Sequence, residues 1–104
     1  MKLLEAMQAA VDAGIKQNFN GQFFEGDQCA CALGMAAIGC GIGRTPDVFH
    51  LLNQRFPELT QEFMIPRLNN CDSPRNLLGI IASTNDYDKK PVKEIIAARE
   101  DAGL

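Results

Sequence analysis

The sequence predicts a compact all-α fold, a bundle of five to six short helices formed by residues 1–104 as a single helical domain. Three observations lead there. Apolar residues recur at spacings of three, four and seven through most of the chain, the pattern of helices with one buried face. Several of these segments open on a capping residue or on proline, both of which mark helix starts. No stretch shows the apolar–polar alternation of a half-buried strand.

The elements follow in order. Leu3, Leu4, Met7, Val11 and Ile15 share one face, with Lys2, Glu5, Asp12 and Lys16 elsewhere, so an amphipathic helix is expected to run to Lys16–Asn18. "NFNGQFFEGD" reads as a loop or short hairpin pinned by its phenylalanines. Residues 28–38 read as a second helix with Asp27 as its N-cap. Gly39 then ends that helix, Gly41 and Gly43 make a turn, and Thr45 caps a third helix that has Pro46 in its first position. Its buried stripe is expected to be Val48, Phe49, Leu52 and Phe56. Pro57 interrupts, and a short helix restarts with Leu59 and Phe63 inward. Ser73 and Pro74 open a further helix carrying Leu77, Leu78, Ile80 and Ile81, and "NDYD" breaks it. Pro91 starts the last helix, with Val92, Ile95 and Ile96 on one face, and the closing "AREDAGL" is expected to fray.

Composition narrows the function. With 46% apolar and 22% charged residues the chain fits a globular domain rather than a disordered tail. Net charge is −3; residues 1–52 carry three basic and five acidic side chains, and residues 53–104 carry seven and eight. That balance lacks the basic surplus with which nucleic-acid binders neutralise phosphates, so a nucleic-acid partner is not expected. No run approaches the ~18 apolar residues of a membrane span. Glu5 and Asp12 interrupt what would be the apolar part of a signal peptide, so the expected location is the cytoplasm. There the four cysteines should be free thiols or metal ligands rather than disulfides.

Chemistry concentrates in residues 26–45, "GDQCACALGMAAIGCGIGRT", with three of the four cysteines. Structural zinc sites use close pairs of ligands separated by two to four residues. Cys29 and Cys31 have one residue between them, Cys40 comes later, and Cys71 is distant. On a helix over 28–38, Cys29 and Cys31 would point about 200° apart and Cys40 would lie about 16 Å along the axis. No metal or other cofactor is therefore expected, with zinc on Cys29, Cys31, Cys40 and Cys71 as the alternative. A cysteine nucleophile would need the single histidine, His50, beside a thiol, with Asn85 or Asp86 orienting it; no pattern brings them together. "GCGIGRTP" fails the phosphate-loop pattern, because Ile38 stands where the first glycine belongs and Arg44 where lysine does. Ala30, Gly34, Ala37 and Gly41 instead form a bare ridge along a core helix, where another backbone can approach.

Three pieces, "CACALGMAAIG", "LLNQRFPEL" and "IIASTNDYD" followed by an amphipathic helix, occur in an order that resembles a family of small uncharacterised helical proteins of bacteria and phages. That family has a Cys-x-Leu-Gly-Ala-like core helix and a late Asn-Asp turn. Met35 replaces the usual alanine, and the tryptophan common after the turn is missing. The resemblance implies a helical fold and a phage or mobile-element origin, and it carries no catalytic residues across.

The expected function is a small cytoplasmic interaction or regulatory module without catalytic activity. Its partner would be another protein, bound through Phe19, Phe23 and Phe24, since aromatic side chains anchor interfaces; self-association is left open. Asn85 and Asp86 are expected to close a turn by local hydrogen bonds. The alternative is a zinc-stabilised or small-ligand-binding regulator that uses residues 29–45.

Overall fold

The computed structural model describes residues 1–20, 22–26, 28–63 and 75–101, apart from the side chains of residues 63, 75 and 101. The domain is α+β, which corrects the all-α expectation. Helices α1 (Leu3–Asp12), α2 (Ala32–Gly39), α3 (Val48–Arg55), α4 (Leu77–Asp86) and α5 (Val92–Asp101) are joined by a 3-10 turn at Pro57–Thr60 and five two-residue strands. Strands β1 (Lys16–Gln17), β2 (Phe24–Glu25) and β3 (Cys29–Ala30) form a mixed sheet in the order β1-β3-β2. β1 runs parallel to β3, pairing Lys16 with Cys29, and β2 runs antiparallel to it, pairing Phe24 with Ala30. β4 (Glu62–Phe63) and β5 (Arg75–Asn76) form a separate antiparallel pair. Two residues cannot display a period of two, which is why alternation gave no sign of them.

The sheet redraws both neighbouring helices. α1 stops at Asp12, short of the expected Lys16–Asn18, because Gly14 takes φ +83°. The amide of Gly14 donates to the carbonyl of Val11 at 3.0 Å and that of Ile15 to Ala10 at 3.1 Å, a Schellman end that turns the chain into β1. α2 starts at Ala32 instead of residue 28, because Cys29 and Ala30 are paired in the sheet. Its N-cap is Cys31, whose sulfur accepts the amide of Gly34 at 3.5 Å. Asp27, the expected cap, lies outside the described residues, as do Cys71, Ser73 and Pro74. Asn76 caps α4 by accepting the Gly79 amide at 2.7 Å.

α2 occupies the centre. Its residues Ala32–Ala37 are all buried, and it packs against α1, α3 and α4. Two glycines set the closest approaches: a β-carbon on Gly34 would lie 2.0 Å from the carbonyl oxygen of Phe23, and one on Gly39 would lie 1.7 Å from that of Ala6. The small-residue ridge is thus split. Ala30 belongs to β3, Gly34 receives the hairpin backbone, and Gly41, at φ +89°, faces open space.

Leu3, Met7, Met35, Leu52, Phe56, Leu59, Leu77, Ile80, Ile81 and Ile95 fill the core. Val48, Leu52 and Phe56 point inward as the spacing predicts, but Phe49 is 54% exposed and leaves the expected stripe. Thr45 does not cap α3 directly; its hydroxyl accepts the Asp47 amide at 3.3 Å and its carbonyl the Val48 amide at 3.2 Å, in the turn before the helix. The tail does not fray through residues 98–101: α5 continues to Asp101, with Ala98 and Arg99 buried.

Candidate functional site

Cys31 is buried, and Cys29 and Cys40 are half-buried free thiols. Burial pushes the Cys31 thiol above its ordinary value, against the pull of the Gly34 amide, so it is a neutral packing and capping group at pH 7. The helical geometry that separated Cys29 from Cys31 does not apply, since Cys29 lies in a strand. Among the described residues, no three His, Cys, Asp or Glu side chains gather as a metal site would require.

The glycine turn is likewise engaged in structure. Gly41 and Gly43 have φ of +89° and +80°, and Arg44 reaches back to the sheet, donating to the Cys29 carbonyl at 3.3 Å with its guanidinium 5.3 Å from the Phe24 ring centre. Phe23 and Phe24 are partly buried against the core, their ring centres 6.4 Å apart, and Phe19 is partly buried. The three phenylalanines therefore give much of their surface to the domain itself. The large apolar side chains that stand exposed among the described residues are Met1, Phe49 and Tyr87.

Asn85 does more than close a turn. It is 1% exposed in the last turn of α4. Its Oδ1 accepts from Gln17 Nε2 at 2.7 Å and from the Ala32 amide at 2.9 Å. Its Nδ2 donates to the Asn18 carbonyl at 2.9 Å and to Asp86 at 2.8 Å. One amide thus joins β1, the start of α2 and the end of α4. The cap of α5 is also non-local: Gln17 Oε1 accepts the Val92 amide at 2.6 Å, and its Nε2 also donates to the Lys90 carbonyl at 2.9 Å.

The stretch 29–45 and the phenylalanines thus have structural partners, and the chemically unsettled group lies elsewhere. Arg99 on α5 is 3% exposed, yet its Nε and Nη1 are buried without a hydrogen-bond partner among the described residues. Buried polar groups are almost always paired, and a buried charge without a partner is costly. Arg99 lines an open cleft of about 720 Å³ whose walls are Lys2 at the N-cap of α1, the first turn of that helix (Leu3, Leu4, Glu5), Glu58 of the 3-10 turn, and Glu100. Burial lowers the affinity of its guanidinium for the proton, while the charge of Glu58 works against that; an arginine nevertheless stays cationic. Leu3, Leu4 and Glu5 are the first residues of α1, so their amides have no acceptor within the helix and carry its positive dipole end. The sequence held a sign of this site. Val92, Ile95, Ile96 and Arg99 follow the spacing i, i+3, i+4, i+7, which places an arginine on the buried stripe.

The chain matches no family model, no curated protein and no solved structure.

The packing makes a first prediction. Gly34→Leu should cost about 3 kcal/mol or more in urea melts, because the side chain would have to displace backbone rather than a flexible neighbour. Cys29→Ser, at a half-buried strand position, should cost well under half of that. The reverse order would mean that Cys29 has a ligand.

Proposed function

We propose that this chain is a small cytoplasmic, non-catalytic regulatory module that binds a ligand carrying an acidic group in the cleft between α1, the 3-10 turn and α5. The observation that supports this reading is Arg99, a guanidinium buried beside a cleft with two of its nitrogens unpartnered. A cleft of about 720 Å³ is in the range of small-molecule sites. No helix among the described residues is long and apolar enough to cross a membrane. The reading keeps a binding role and moves its seat away from the phenylalanine loop and from residues 29–45.

Removing the charge tests it. Replacing buried ionic groups by apolar ones of similar volume is often neutral or stabilising by ~1–4 kcal/mol, so Arg99→Met should leave unchanged or raise the urea midpoint of the free protein. It should also abolish binding of acidic fragments in a protein-observed NMR screen, where wild-type hits shift the methyl signals of Leu3 and Leu4. If Arg99→Met loses several kcal/mol and the cleft binds no acidic fragment, the guanidinium is purely structural and the reading fails.

A further inference from the structure

Charge in the cleft narrows the ligand. The walls carry both signs: the cations of Lys2 and Arg99 face the same space as the carboxylates of Glu58, Glu100 and Glu5, the last of which also accepts the backbone amide of Lys2 at 2.9 Å. A simple anion such as phosphate would be drawn to Arg99, Lys2 and the α1 amides and repelled by the three glutamates. A simple amine would meet the reverse. A molecule that carries a carboxylate and an ammonium close together satisfies both. Beyond the charged end, a second open cleft of about 410 Å³ continues along α1 and shares Leu4, Glu5 and Glu100 with the first, with Ile96 in its wall. That extension offers apolar surface for a side chain.

We propose that the cleft binds a free α-amino acid, its carboxylate on Arg99 and the first turn of α1, its ammonium toward Glu58 and Glu100, and its side chain along Leu4. The proposal rests on the ligand-binding reading above and adds the class of ligand. Two of its elements are independent: the buried guanidinium nitrogens of Arg99 call for an acceptor, and three carboxylates (Glu5, Glu58, Glu100) against two cations (Lys2, Arg99) on the walls leave one carboxylate for a cation of the ligand.

The test uses the full-length protein and the twenty protein-building amino acids, added singly at millimolar concentration in thermal-shift and calorimetric titrations. At least one is expected to raise Tm in a dose-dependent way. Its amide, which lacks the carboxylate, and its N-acetyl form, which lacks the ammonium, should each bind more than about tenfold more weakly, since each leaves a charge in the cleft unpaired. Arg99→Met should lose the response. Glu58→Gln, a milder change at a half-exposed position, should narrow the gap between the amino acid and its N-acetyl form. If no amino acid stabilises the protein, or if the blocked forms bind as well as the free one, the proposal is wrong. Should acidic fragments still occupy the cleft in that case, the broader binding reading survives; if they too fail, both fall.

Discussion

Gly39→Ala is expected to lower the stability of the domain by about 3 kcal/mol or more, although the change adds one methyl group. On helix propensity alone the substitution should gain about 1 kcal/mol. Packing reverses the sign. The added carbon would stand 1.7 Å from the Ala6 carbonyl oxygen and 2.6 Å from its carbon, so α1 as a whole would have to withdraw from α2. Backbone cannot yield as a side-chain tip can, which places the cost at the upper end of overpacking effects. Gly41→Ala is the matched control: its φ of +89° imposes strain but nothing lies within 4 Å, and a loss of about 1 kcal/mol is expected. Urea unfolding of both variants, compared at unchanged slope, decides it. Equal losses would mean that α1 and α2 do not meet at Gly39 and Ala6.

Asn85→Ala should be comparably severe, at about 4 kcal/mol. It strands the Ala32 amide and the Asn18 carbonyl and frees Gln17 from its partner; each buried group left unsatisfied costs ~1–3 kcal/mol. Asn85→Asp separates this role from simple packing. Its carboxyl would be buried beside the Asn18 carbonyl and Asp86, so its folded pKa must lie above the unfolded ~3.9. The neutral form is then the one the fold tolerates. The deficit relative to wild type should be smallest below pH ~4 and grow as pH rises toward the folded pKa. A deficit independent of pH would show that position 85 is not enclosed by these acceptors.

Much of the helical framework was legible in the sequence, for a physical reason. Leu3 and Met7, Leu52 and Phe56, Leu77 and Ile81, and Val92 and Ile95 stand one helical turn apart, and all are buried. What escaped was short or distant. Cys29 and Ala30 are small residues that suit a helix, and only the backbone of Lys16 and Phe24 draws them into a sheet. Asn85 looks like a local turn residue because its partners at 17, 18 and 32 leave no mark nearby in sequence. Arg99 falls in the closing stretch that the sequence expects to fray, although its register with Ile95 and Ile96 places it inward. Phe23 and Phe24 read as a binding surface because they exceed what a short loop needs; the hairpin packs part of both against the core.

The polar knot around Asn85 also governs when the fold can be completed. Its bonds to Gln17 and Asn18 join positions 68 and 67 residues apart, and the Gln17 cap of α5 spans 75. Such links form only after a long loop has closed, and loop closure carries an entropic cost that local helix contacts avoid. The α1–β1–α2 region, with its parallel pairing inside the first 30 residues, can assemble first and present β1 as a template. Joining the C-terminal helices to it is then the late step, so damage at Asn85 should accelerate unfolding far more than it slows folding.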